Sequence, residues 1–179
     1  VDFYTLNVAG ITRKLPIIPI SEHLKIASFV TLGDSELIEA VAPSLAEELP
    51  NVDIIVTAEA KGIPLVYEIS KILKMKHYVV ARKSVKSYMD NPLILEVQSI
   101  TTNNKQILCL DNKDAQLLKG KKVALIDDVI STGESIQALE KLVSIAGGTV
   151  VAKAAILAEG DAAYRNDIIY LETLPVFTT

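Results

Sequence analysis

Asp127 and Asp128 stand side by side at the end of an apolar run, and Ser131, Thr132, Gly133, Glu134 and Ser135 follow almost at once. These residue types at this spacing suit a phosphorylated sugar. The run from Lys122 to Ile126 predicts a buried strand that carries the acids to one edge of a sheet. A short turn leading into a helix points unpaired backbone N–H groups at one spot, which favours a phosphate. Gly133 permits a positive φ and a close approach of the backbone, while Thr132 and Ser135 add hydroxyl donors. Two adjacent carboxylates would repel a bare phosphate. They make sense against the vicinal hydroxyls of a ribose, with the phosphate further along, over the turn. The nucleotide-hydrolase loop, rich in glycine and ending in Gly-Lys-Ser/Thr, does not occur in the sequence.

Other clusters have charge in similar places. Thr57-Ala58-Glu59-Ala60-Lys61-Gly62 follows the β-branched run Val52 to Thr57 and makes a second turn from strand to helix. Arg82, Lys83 and Lys86 follow the next strand as a basic turn. Glu159-Gly160-Asp161 follows a further apolar strand. His23 and His77 have no partner pattern, and Cys109 reads as a packed core thiol.

Strand-like and helix-like runs alternate from about residue 35 onward, and they position these clusters. Helices are expected over 34–49, with Ser35 as the cap, over 65–73 and over 136–146. Strands are expected over 52–57, 77–81, 93–99, 107–110, 122–126, 150–157 and 168–171, with 93–99 and 107–110 paired as a hairpin and 113–118 a short connector. The alternation implies right-handed crossovers, hence an α/β fold with a central, mostly parallel sheet flanked by helices. Residues 1–33 do not share the rhythm. Pro16 and Pro19 are expected to break regular structure there, making this segment a small hood over the sheet's carboxyl edge, with residues 34–179 as the core domain.

The stretch Val123 to Ser135 resembles the phosphoribosyl-pyrophosphate motif of the type I phosphoribosyltransferases. The resemblance extends from about Asp34 to Phe177. It implies that fold, and it implies that Asp127 and Asp128 hold the ribose 2- and 3-hydroxyls as the catalytic acids. It also implies that Ser131, Thr132, Gly133, Glu134 and Ser135 bind the 5-phosphate, although the family often has a second small residue at the position of Glu134. Glu59-Ala60-Lys61-Gly62 is similar to the Glu-Ala-Arg-Gly run of bacterial adenine phosphoribosyltransferases, where the turn holds pyrophosphate, often through a strained or cis peptide. Lys61 in place of Arg keeps the charge and loses the bidentate fork. Arg82-Lys83-Ser84-Val85-Lys86 resembles the Arg-Lys-x-x-Lys element of the same enzymes. Glu159 matches an acid near the base pocket, and Val129 is placed in that pocket with it. Ser99 to Lys105 sits where the family has a mobile lid, and its Ser-Ile-Thr-Thr run is closer to xanthine phosphoribosyltransferases than to adenine enzymes. Adenine is the first expectation for the base. Xanthine, or hypoxanthine and guanine, is the alternative.

The bulk numbers are consistent with a small-molecule enzyme. With 179 residues, half of them hydrophobic, the chain can bury one core, and a formal charge of −4 offers no basic surface for nucleic acid. A single cysteine rules out an intrachain disulfide and points to a reducing, cytoplasmic setting. No apolar run approaches a membrane span. The resemblance implies a homodimer, and Mg2+ held mainly through the substrate pyrophosphate, without a dedicated protein cage. Outside catalysis, the rival is a regulator that keeps this domain to sense phosphoribosyl pyrophosphate. Such proteins usually add a helix-turn-helix or a basic face, and neither is legible in the sequence.

Overall fold

A computed structural model describes residues 2–98 and 105–179, with only the backbone of Gln98. Three antiparallel strands come first, β1 (Phe3–Val8), β2 (Ile11–Pro19) and β3 (Leu24–Ala27). The core follows as α1 (Ser35–Glu48), β4 (Ile54–Ala58), α2 (Ile63–Ile72), β5 (Val79–Ala81), the hairpin β6 (Leu93–Gln98) and β7 (Lys105–Leu110), and α3 (Asn112–Leu118). Next come β8 (Lys122–Ile130), α4 (Glu134–Ile145), β9 (Thr149–Glu159), a 3-10 turn (Gly160–Tyr164), β10 (Ile169–Leu174) and β11 (Val176–Thr178).

The central sheet runs β10-β9-β8-β4-β5, and every neighbouring pair in it is parallel. Apolar clusters cover both faces. Ala124 and Ile126 belong to the cluster shared with α1 and α2, while Val123 and Leu125 belong to the cluster shared with α4 and the hairpin. A strand packed on both faces has no polar side to show, which is why β8 reads in sequence as an unbroken apolar run. The parallel arrangement brings the carboxyl ends of β4, β5, β8 and β9 to one edge, and each of these strands is followed there by a charged cluster.

The N-terminal strands differ from expectation. Pro16 and Pro19 both lie inside β2. Pro16 is opposite Phe3 at the last pair with β1, and its carbonyl accepts from the Ser28 N–H at 2.9 Å, one residue beyond β3. Its missing donor therefore falls where the β3 ladder has already ended, and Pro19 closes the strand. The C-terminal β11 pairs with β3, giving a small sheet in the order β1-β2-β3-β11. Residues 113–118, expected as a connector, lie in α3, whose start is capped by the Asp111 carboxylate accepting from Asn112 N–H at 2.8 Å. The expected hairpin is present. No helix among the described residues is long and apolar enough to cross a membrane.

Asp34, not Ser35, caps α1. Its Oδ1 accepts from the Leu37 N–H at 3.1 Å, and its two oxygens take Arg13 Nε at 2.8 Å and Nη2 at 3.0 Å. The same carboxylate therefore fixes the helix start and ties it to β2. Arg13 is the main reason the Asp34 carboxyl titrates below the ordinary aspartate range. The ionised form is the one the fold prefers, so this contribution is complete above about pH 4 and is lost as pH falls through the lower folded value. Asp34→Ala should cost about 1 kcal/mol at neutral pH from the cap alone. Urea unfolding of both proteins at pH 7 and near pH 2 should show the gap closing in acid.

Candidate active site

The strand β8 continues four residues past Ile126, so both acids lie within it and not beyond its end. Asp127 pairs with Ala155 of β9. Its carboxyl titrates well above the ordinary range, first because it is buried, then because of the hydrogen bond and charge shared with Asp128. Asp127 Oδ1 accepts the Asp128 N–H at 2.8 Å. Asp128 is 4% exposed, and its Oδ2 is buried without a hydrogen bond. Lys61 Nζ is 3.7 Å from that oxygen, too far for a hydrogen bond, and the Lys61 side chain is half exposed. A buried carboxylate oxygen with an open lone pair is a place for a donor such as a sugar hydroxyl.

The loop after β8 has the predicted shape. Gly133 takes φ 86° and stands at the N-cap of α4, and Glu134 N–H approaches Thr132 Oγ1 at 3.4 Å. The first-turn N–H groups of Ser135 and Ile136 have no acceptor within the helix. Val129, Ser131, Thr132, Gly133 and Ser135 line a cavity of about 100 Å³ that Asp127 also borders. A Cβ on Gly133 would lie 2.5 Å from Arg165 Nη1. Gly133→Ala should therefore lose about 1 kcal/mol of stability to the left-handed backbone and push the guanidinium off the loop. Thermal unfolding together with a titration of ribose 5-phosphate would register both effects.

The turn after β4 meets the acids from the other side. The Glu59–Ala60 peptide is cis. Thr31 Oγ1 donates to the Lys61 carbonyl at 2.7 Å, which ties the chain just after the N-terminal strands to this turn. Gly62 leaves no room for a side chain: a Cβ there would collide with Thr57 Oγ1 and come within 3.6 Å of the Asp127 Cα. Glu59 faces back to the next cluster, where its Oε1 accepts the Lys83 N–H at 2.6 Å and its Oε2 is 3.3 Å from Arg82 Nε. The Lys83 N–H is the main reason that Glu59 titrates below its ordinary range, and Arg82 adds to the effect. Arg82 Nη1 donates to Tyr88 Oη at 2.7 Å, and Lys86 Nζ to Ser84 Oγ at 2.7 Å. Lys83 and Ser135 line a cavity of about 410 Å³ with Ala58, Lys105 and Gln106, so the basic cluster and the loop after β8 share one space.

Glu159 joins this group from the end of β9. Burial raises its carboxyl above the ordinary range, against the hydrogen bond from Ser131 and the charge of Lys61. The structure thus brings together Asp127, Asp128, the loop 131–135, Lys61 and Glu159, with Glu59, Arg82 and Lys83 as a linked second group. Ala60 is exposed on the turn between them. The lid expected over Ser99 to Lys105 lies outside the described residues except for Lys105. Thr31 and Arg165, which contact these turns, were not singled out from the sequence. Nothing in the spacing links Thr31 or Arg165 to the acids, although a glycine straight after the Lys61 turn was a signal for close approach.

The phosphoribosyl transferase domain family matches residues 31–176, most of the chain. The chain belongs to the phosphoribosyltransferase family. A hypoxanthine/guanine phosphoribosyltransferase from Methanococcus voltae is 34% identical over 137 residues, 76% of this chain and 69% of the relative. An adenine phosphoribosyltransferase from Thermosipho africanus is 33% identical over 134 residues, 68% of this chain and 69% of the relative. Among solved structures, adenine phosphoribosyltransferase from Thermoanaerobacter pseudethanolicus superposes with a TM-score of 0.71 at 24% identity, covering 89% of this chain and 95% of that one, a likeness of fold. Open parallel α/β sheets bind ligands at the carboxyl ends of their strands, and the charged clusters of this chain lie at that edge of its five-stranded sheet.

Proposed function

We propose that this phosphoribosyltransferase acts on a purine, and that the purine is adenine: the 5-phosphoribosyl group passes from phosphoribosyl pyrophosphate to the base, giving AMP and pyrophosphate. The anomeric carbon exchanges its bond to a pyrophosphate oxygen for one to a ring nitrogen, and the base gives up its N–H proton. The observation that carries the transfer reading is the Asp127–Asp128 pair, with one buried oxygen lacking a donor, set in the same strand that feeds the loop 131–135.

In this reading Asp127 and Asp128 hold the ribose hydroxyls and favour positive charge at the anomeric carbon. Ser131, Thr132, Gly133, Glu134 and Ser135 hold the 5-phosphate, Glu134 through its backbone. Lys61, Arg82, Lys83 and Lys86 receive the departing pyrophosphate beside the Glu59–Ala60 peptide. Glu59 aims that group by gripping both Arg82 and the Lys83 backbone. Most of the rate enhancement comes from positioning and fixed charge.

Magnesium would come to this site with its substrate. Among the described residues no cluster of three acids, histidines or cysteines could cage an ion. The Asp127–Asp128 edge can face an ion already carried by ribose and pyrophosphate oxygens, as magnesium prefers. The ion, when bound, neutralises the leaving group.

Glu159 supports adenine. Its carboxylate lies beside Ser131 at the end of β9, and it can accept from an exocyclic amine. The exocyclic 6-oxo oxygen of hypoxanthine or guanine would face that carboxylate as a second acceptor. The hypoxanthine/guanine alternative has the 34% relative in its favour. Incubation with magnesium, phosphoribosyl pyrophosphate and adenine, hypoxanthine, guanine or xanthine in turn, following pyrophosphate release, separates them. Fastest release with adenine is expected, and a faster oxo-purine would sink the adenine assignment. Failure to release pyrophosphate with any of the bases, beside binding of phosphoribosyl pyrophosphate that Asp128→Asn abolishes, would favour a sensor.

A further inference from the structure

We propose that Arg165 is an additional ligand of the 5-phosphate, supplied from outside the loop that binds it; this rests on the phosphoribosyl pyrophosphate reading above. Arg165 follows the 3-10 turn Gly160–Tyr164, about thirty residues after the loop, and its side chain is 29% exposed. Its guanidinium is held by one edge. Nε and Nη2 donate to the two oxygens of Asp167, each at 2.8 Å. Arg165 holds the Asp167 carboxyl down to about 2, so the fork stays ionised through the neutral range. Asp167 is in turn 3.8 Å from Lys153 Nζ, which lies 3.2 Å from Glu140 on α4. This chain of contacts sets the plane of the guanidinium relative to the helix that opens at the phosphate loop.

The remaining nitrogen, Nη1, is placed against Gly133, close enough that a Cβ there would lie 2.5 Å away. Among the described residues no acceptor takes the Nη1 hydrogens. They meet the loop at the residue whose positive φ turns the backbone into α4. A phosphate over the loop would come within reach of that edge, and a guanidinium matches phosphate oxygens better than an ammonium does.

Ribose 5-phosphate is the probe, titrated calorimetrically into the full chain and into Arg165→Gln and Arg165→Lys, with thermal unfolding of each. Loss of a charged hydrogen bond should weaken ribose 5-phosphate by about 10- to 100-fold in Arg165→Gln, with part of the loss restored in Arg165→Lys. In turnover, KM for phosphoribosyl pyrophosphate should rise by the same factor while KM for the base stays within about twofold. Unchanged ribose 5-phosphate affinity in folded Arg165→Gln overturns the inference. So does a fall in kcat with both KM values shifted alike, since that marks a structural role. If the unaltered protein binds neither ribose 5-phosphate nor phosphoribosyl pyrophosphate, the underlying function itself falls, an outcome separate from failure at Arg165.

Discussion

Asp128→Asn should lower kcat/KM for phosphoribosyl pyrophosphate by about 10²- to 10³-fold, the scale on which a fixed charge aimed at a transition state acts. The same change should make the protein harder to unfold. Asp128 Oδ2 is buried without a hydrogen bond, and the Lys61 ammonium 3.7 Å away is half in water and contributes little. A buried acceptor left open costs about 1–3 kcal/mol, and an amide carries less of that cost than a carboxylate. Asp127 gains as well. Its carboxyl is raised chiefly by burial and next by Asp128, so removing the neighbouring charge lets it ionise more readily.

The sign with pH follows. A carboxyl raised in the fold binds its proton more tightly there than in the unfolded chain. Its stabilising contribution is full below the ordinary range, near pH 4, and disappears as pH rises through the folded value. At neutral pH Asp127 is therefore held against its own preference beside Asp128, and Asp128→Asn should stabilise most at pH 7 and little at pH 4. Unfolding midpoints at both pH values, beside the pyrophosphate-release assay at pH 7, measure the trade. Activity within a few-fold of the unaltered protein would show that the pair does not touch the ribose.

Glu159→Gln should lower kcat/KM for adenine by about 10- to 100-fold, the worth of a hydrogen bond to a charged group, and improve hypoxanthine at the same time. The substitution keeps the side chain's shape. It replaces one acceptor oxygen by an NH2 that can donate to the exocyclic 6-oxo oxygen of hypoxanthine or guanine but has no lone pair for the amine of adenine. Ser131 can still bond to the remaining oxygen, so the loop should hold its shape. The informative quantity is the ratio of the two bases in competition, because a general loss of activity would leave it fixed. A ratio that does not move would place Glu159 outside the base pocket.

The two acids have different environments on one strand, and this explains why they are proposed to act as a pair without being equivalent. Asp127 retains a hydrogen bond from the Asp128 N–H and borders the cavity over the loop. Asp128 faces Lys61 from the turn after β4. The Thr31 hydroxyl on the Lys61 carbonyl, and the absence of a side chain at Gly62, set how near that turn can come. Stability given up at Asp128 is offset in the apolar strand beneath it, where Val123 to Ile126 are wholly buried.

The sequence by itself determined the parallel core and the main elements of the candidate site. Short, β-branched apolar runs ending in charged clusters read as strands buried on both faces, and the order Val123 to Ser135 places acids, hydroxyls and glycine in register along one continuous piece of chain. Local spacing is sufficient there because strand, turn and helix follow one another directly. It was insufficient wherever the deciding contact crosses the chain. Pro16 and Pro19 looked like breakers until the pairing of β2 with β1 and β3 showed where the missing donors fall. Asp34 became the cap of α1 in place of Ser35, fixed by the distant Arg13 as much as by the helix. The convergence of Lys61, Glu159 and Asp128 depends on which strands neighbour β8, and the approach of Arg165 to Gly133 depends on how the 3-10 turn packs against β9 and β10. These are relations between segments up to a hundred residues apart, and no periodicity encodes them; only the strand order and the packing of the turns at the carboxyl edge of the sheet decide them.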